Sequence, residues 1–92
     1  MKLLWTRLAL TDVKQLYAYI AEDNATAARQ MVTRIHQGVE TLKKHPYMGK
    51  PGRVNDTREL MIGKSPYCVV YQLQQSCILI IAVIHQAQRW PD

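Results

Sequence analysis

Residues 57–84, TRELMIGKSPYCVVYQLQQSCILIIAVI, decide the fold. Three strand-like runs, Thr57–Ile62, Tyr67–Leu73 and Cys77–Ile84, are rich in aliphatic, β-branched and aromatic residues. Gly63-Lys64-Ser65-Pro66 and Gln74-Gln75-Ser76 separate them with turn chemistry. Such spacing predicts an antiparallel β-meander. A hairpin centred on Gln74-Gln75 sets Cys68 near Ile81 and Cys77 near Gln72, so the two sulfurs fall out of register. Two cysteines are too few for a disulfide scaffold or a zinc site. Both are expected as reduced core residues. The Cys77–Ile84 run is apolar on both faces, and one helical layer covers only one face of a sheet. The other face is expected either to meet a partner or to be covered by loops and the C-terminal tail.

Upstream the period changes. Leu3-Leu4-Trp5 reads as a short strand, and Thr6 is placed to cap a helix. Ala9, Val13, Leu16 and Ile20 form one face of an amphipathic helix ending near Asp23. Asn24 caps a second helix, with the stripe Ala28, Met31, Val32, Ile35, Val39 and Leu42. His45-Pro46 stops it, because a residue before proline resists helical dihedrals. Residues 46–53, with two prolines and two glycines, read as an irregular loop. The expected order is βααβββ, an α+β fold. An N-terminal strand and an antiparallel helical hairpin pack on the meander, with the first strand joining a sheet edge.

The 92 residues form one domain, 1–92, since a second core has no room. The longest apolar run spans eight residues, whereas a membrane helix needs roughly 20. The first residues lack the apolar stretch of a signal peptide, so the cytoplasm is the expected compartment and no membrane partner is expected. The net charge is +5. Residues 43–64 hold six basic against two acidic side chains, a net +4. A basic middle suits an anionic partner, such as nucleic acid or an acidic protein segment, or a solvated basic surface without one.

Motifs for chemistry are sparse. Gly49-Lys50-Pro51-Gly52 is too short for a P-loop and follows no strand. His36, His45 and His85 lack metal-ligand spacing, so no metal or cofactor is expected. His85 follows the last strand directly and is a candidate acid or base, or a strand-end histidine bonded to backbone. Arg53 and Arg58 flank the start of the second predicted strand. Arg58 suits a phosphate or carboxylate clamp, or an internal pair with Glu59 or Asp56. Tyr67 and Tyr71 share one strand face and are read as core rather than a base-stacking platform. Trp90 either docks back on the domain or anchors a partner.

The assembled pattern resembles the RelE/ParE superfamily of toxins from type II toxin–antitoxin systems. Its residues are Trp5, Ala9, Val13, Tyr19-Ile20-Ala21 and Ala27-Ala28. His45-Pro46-Tyr47-Met48-Gly49, Gly52-Arg53-Val54 and Thr57-Arg58-Glu59-Leu60 follow. Pro66-Tyr67, Val70-Tyr71, Val83-Ile84-His85 and Arg89-Trp90-Pro91 complete it. The resemblance implies a toxin neutralised by a co-expressed antitoxin that wraps it with a disordered, acidic segment. Such a segment suits the basic middle and the double-sided strand.

Within the superfamily, RelE-like members cut messenger RNA in the ribosome and ParE-like members poison DNA gyrase. Relative to RelE-like enzymes, Leu60-Met61-Ile62 is apolar where a basic strand is common. Gly63 stands near a common arginine, with Lys64 adjacent. No tyrosine lies beyond Trp90. The long helical hairpin and the Gly-Arg-Val to Thr-Arg-Glu run are more ParE-like, which implies gyrase as the target. Arg53, Arg58, Lys64, Arg89 and Trp90 are then binding candidates. Under the alternative, a ribosome-dependent mRNA endoribonuclease, Arg58 and His85 are the catalytic candidates. A further alternative is a non-toxic module that only binds the antitoxin.

Overall fold

Thr6 and Asn24 set where the two helices begin. In the computed structural model, which describes residues 1–91 and leaves Asp92 outside, Thr6 Oγ1 accepts from Ala9 N at 3.0 Å and Asn24 Oδ1 from Ala27 N at 2.9 Å. Each cap satisfies a backbone donor that the helix leaves unpaired. Strand β1 covers Lys2–Trp5, helix α1 Arg7–Ala21 and helix α2 Ala25–Thr41. Strands β2 (Lys50–Pro51), β3 (Arg58–Met61), β4 (Tyr67–Leu73) and β5 (Cys77–His85) follow.

The strands form one sheet in the order β1-β5-β4-β3-β2. The predicted meander is β3-β4-β5. As expected, β1 joins an edge, and it does so parallel to β5. Two boundaries differ from the sequence reading. Helix α2 stops at Thr41, short of His45, and Leu42 closes its last turn. The loop at 46–53 contributes the short strand β2, in which Lys50 opposes Glu59.

The register of the last hairpin is a correction. Gln74 N donates to Cys77 O at 2.9 Å, and Leu73 opposes Ile78. The turn therefore centres on Gln75-Ser76, one residue later than expected. Tyr71 opposes Ile80 but Val70 opposes Ala82, leaving Ile81 as the extra residue of a β-bulge. Cys68 consequently faces Ile84, three residues beyond the expected partner. Both cysteines are buried and free, as expected.

Past Trp5, β1 no longer covers the outer edge of β5, and α1 covers it instead. Thr6 N donates to Ile80 O at 3.0 Å, and Thr6 Oγ1 donates to Ile81 O at 2.9 Å. Asp12 Oδ2 accepts from Val83 N at 2.9 Å. Thr6, the cap of α1, and Asp12 on it thus supply the partners that the bulged strand lacks.

The helical hairpin packs on one sheet face. Ala9, Leu16, Met31, Ile35, Val39 and Leu42 bury against Leu60, Val69, Tyr71, Ile78, Ile80 and Val83. On the opposite face Cys68, Val70, Ala82 and Ile84 form a second buried cluster with Trp90 and Ile81 against it. Of the two outcomes the sequence left open for this apolar face, cover by the chain's own tail is the one observed over this cluster. Among the described residues, no helix is long and apolar enough to cross a membrane.

Candidate functional site

Arg58 and His85 mark opposite ends of the sheet. Arg58 opposes Tyr71 on β4, whereas His85 opposes Tyr67. Four residues of strand separate those β4 positions, roughly 13 Å along its axis.

At the Arg58 end, the loop after α2 is fastened to the sheet. The hydroxyl of the fully buried Tyr71 donates to Pro46 O at 2.7 Å and accepts from Gly49 N at 2.9 Å. A Cβ on Gly49 would lie 2.7 Å from the Tyr71 ring and 2.9 Å from Glu59 O, so only glycine permits this approach. Arg58 Nη2 donates to Tyr47 O and to Gly49 O. Its guanidinium carbon lies 5.3 Å from the centre of the Tyr47 ring, within cation–π range. Arg58 Nε is buried without an acceptor among the described residues. Arg58 pairs with neither Glu59 nor Asp56, the internal partners the sequence suggested. It clamps the loop after α2. Among the described residues, the groove beside it, about 510 Å³, holds Arg58 as its one cation and Asp56 as its one carboxylate.

Arg53 takes Glu59 instead. Its Nε and Nη2 donate to Glu59 Oε2 and Oε1 at 3.0 and 3.1 Å, and its backbone N donates to Oε2 at 2.9 Å. Glu59 is only 4% exposed. Burial pushes its carboxyl up, but the Arg53 side-chain and backbone donors outweigh burial and hold it below its ordinary value. The same contact raises Arg53 further above the usual guanidinium range. Arg53 Nη1 also donates to Gln88 O at 3.3 Å, tying the tail down. Cys68 Sγ donates to Glu59 Oε1 at 3.9 Å. Burial, with Glu59 beside it, pushes the Cys68 thiol up to about 11, which leaves it unreactive at neutral pH.

At the other end, His85 is exposed. Its Nδ1 accepts from Ala87 N at 3.1 Å, and its ring meets Tyr67 edge-on at 5.7 Å. This is the strand-end histidine bonded to backbone. Lys64 stands at the tip of the β3–β4 turn with φ 58°, in the left-handed region. Ser65 Oγ locks that turn, donating to Ile62 O at 2.7 Å and accepting from Tyr67 N at 3.1 Å. Lys64 and Arg89 are exposed and make no ion pair among the described residues. Trp90 is half-buried on the second cluster, so it docks back on the domain.

Sequence reasoning missed Arg34. It lies off the apolar stripe of α2, which signalled only a solvent-facing side chain. In the fold it shares one groove with Lys64 and another with Met48 and Met61. The two grooves run between α2 and the β3–β4 edge. Met48 and Met61 are 47% and 39% exposed there. This edge, rather than one face of the sheet, combines free cations with exposed apolar surface.

Comparison with known proteins agrees along nearly the whole chain. Residues 3–90 match the family described as ParE toxin of type II toxin–antitoxin system, parDE. A putative toxin, Y4kP, of Sinorhizobium fredii is 38% identical over 88 residues, covering 96% of this chain and 91% of that protein. Toxin RelE2 of Caulobacter vibrioides is 26% identical over 87 residues, covering 95% and 97%. Among solved structures, the chromosomal ParDE toxin–antitoxin system of P. aeruginosa superposes with a TM-score of 0.82 at 25% identity, over 92% of this chain and 95% of that one. A chain of the intact E. coli RelBE toxin–antitoxin complex shares the fold, with a TM-score of 0.60 at 20% identity over 96% and 98%. The strand, helical hairpin and five-stranded mixed sheet are thus those of ParE and RelE toxins, and the chain belongs to the ParE toxin family of type II toxin–antitoxin systems.

Proposed function

We propose that this toxin acts by poisoning DNA gyrase rather than by cutting RNA. One observation carries the choice: Arg58 and His85, the catalytic pair that a ribonuclease would use, diverge. Metal-independent RNA cleavage needs an acid or base and a phosphate-binding cation on one phosphodiester. Arg58 is committed to the carbonyls of Tyr47 and Gly49, and His85 lies at the far end of the sheet. The family match and the likeness to a ParDE system support the same reading.

The partner that neutralises it is an antitoxin with an acidic, partly apolar segment. The edge between α2 and β3 fits such a segment. Met48 and Met61 offer apolar contact, and Arg34 and Lys64 offer charge. Replacing Arg34 and Lys64 together by Ser should weaken antitoxin binding and flatten its salt dependence.

The deciding experiment is inducible expression of the toxin without its antitoxin, followed by assays of the purified protein on gyrase. Arrest with a DNA-damage response and blocked supercoiling is expected. Arrest with loss of ribosome-bound mRNA and no DNA damage would replace this reading with the ribonuclease one, which the likeness to toxin RelE2 favours. Normal growth with folded protein accumulating would leave only an antitoxin-binding module.

A further inference from the structure

A pocket of about 290 Å³ opens between α1 and the end of β5, walled by Asp12, Tyr19, Tyr67, His85 and Gln88. Its base is the bulged edge of β5. Asp12 turns one carboxylate oxygen, Oδ2, to Val83 N at 2.9 Å. The other oxygen has no hydrogen-bond donor among the described residues. No lysine or arginine lines the pocket. On α1 the residues three and four positions away are Leu8, Ala9, Gln15 and Leu16, so no helical neighbour supplies a cation. Glu59, the carboxylate on the opposite sheet face, takes three donors from Arg53. In a chain with twelve lysines and arginines, Asp12 is partly desolvated yet has no cationic partner among the described residues.

The walls around it are aromatic. The Tyr67 and His85 rings meet edge-on at 79°. Tyr19 is 72% exposed across from them. His85 accepts a hydrogen bond from Ala87 N at Nδ1, which fixes its ring against the strand end. The pocket thus presents π-faces and one open carboxylate oxygen, the two features that attract a cation. Its volume is at the small end for a ligand site and suits one side chain. Arginine fits better than lysine, because a planar, weakly hydrated guanidinium stacks on aromatic rings while forking to a carboxylate.

We propose that this pocket is a recognition site for an arginine side chain of a protein partner, held between Tyr19 and the Tyr67–His85 pair and paired with Asp12. Burial raises the Asp12 carboxyl above its ordinary value, and a bound guanidinium would draw it back down. The site is independent of which cellular target the toxin attacks.

The test is an NMR titration of the intact toxin with Nα-acetyl-arginine methylamide. Saturable shifts at Tyr19, Tyr67 and His85 are expected, with half-saturation at about 1–30 mM. The lysine analogue should bind more weakly. Asp12→Asn keeps an oxygen acceptor for Val83 N–H, and Tyr19→Ala changes an exposed residue, so both variants should fold. Each should weaken binding by about fivefold or more. Absence of saturable shifts, or wild-type binding in both variants, would overturn the proposal. Repeating the titration on the toxin–antitoxin complex tests whether the antitoxin is the occupant. Loss of probe binding means the antitoxin occupies the pocket, and retained binding means the pocket stays open to another protein in the complex.

Discussion

Against the helices, the sheet buries Val69, Tyr71, Ile78, Ile80 and Val83 beneath Ile35, Val39 and Leu42. On its other face, Cys68, Val70, Ala82 and Ile84 are equally dry, yet they meet Trp90 and a carboxylate paired with arginine. The first face is closed by the periodic stripes of two helices. The second is closed by the tail around Trp90, which Arg53 fastens through Glu59 and Gln88. An apolar strand therefore does not by itself announce a partner surface. A short chain can close a second face with one ion pair and one tryptophan, provided the buried carboxylate is fully hydrogen-bonded.

The largest effect should come from the helix face. Ile35 is completely buried, and Ile35→Ala should cost about 2–5 kcal/mol in denaturant unfolding. A markedly smaller loss would mean that the helical layer is loosely packed and the two faces contribute alike. Next comes the polar closure. Arg53→Ala strands Glu59 and should cost about 1–3 kcal/mol, below the range for fully buried pairs because the Arg53 side chain is 36% exposed. Arg53→Met with Glu59→Leu should recover much of that loss, since an apolar pair of similar size needs no hydrogen bonds. If Arg53→Ala is silent, Trp90 and the aliphatic cluster close this face alone.

Tyr71 belongs to the first face but fastens a loop at its rim. Tyr71→Phe removes the bonds to Pro46 and Gly49 and should cost about 1–2 kcal/mol. Faster amide exchange at Gly49, with the core amides unchanged, would show the effect confined to the loop.

The smallest effect lies in the acid range, where Glu59 and Asp12 act with opposite signs. Glu59 has its folded-state value lowered from an ordinary 4.5. Its stabilisation is present above that ordinary value and is lost as pH falls through the lowered one. Asp12 is raised from an ordinary 3.8, so its contribution favours the fold when protonated and declines as pH rises through the raised value. Unfolding midpoints across about pH 3–6 should therefore fall less steeply on acidification in Glu59→Gln than in wild type. They should fall more steeply in Asp12→Asn.

Much of the fold was legible because its signals are local. The Thr6 and Asn24 caps, the stripe from Ala28 to Leu42 and the turn at Gly63–Pro66 depend on neighbours within a few residues. Strand β2 was not legible, because Lys50 and Pro51 become a strand only against Glu59 and Arg58. The hairpin register was missed for a related reason. Gln74, Gln75 and Ser76 are all acceptable turn residues, and the bulge at Ile81 needs Thr6 and Asp12 to satisfy it. Of the candidate residues, Lys64 and Arg89 make no ion pair among the described residues, while Arg53 and Arg58 acquired internal partners.

By itself the sequence determined the types and order of every element but β2, and the basic character of the middle segment. Those follow from side-chain periodicity, capping and turn chemistry, which act over one or two turns of chain. The tertiary structure alone decided which carboxylate Arg53 meets, how the second face is closed, and that Arg58 and His85 end up apart. It also made the Asp12 pocket, by bringing α1 onto an edge of β5 that lies 71 residues further along the chain. The physical reason is that a charged group's partner is fixed by burial and by the geometry of hydrogen bonds across the fold, and adjacent residues in the chain carry little information about either.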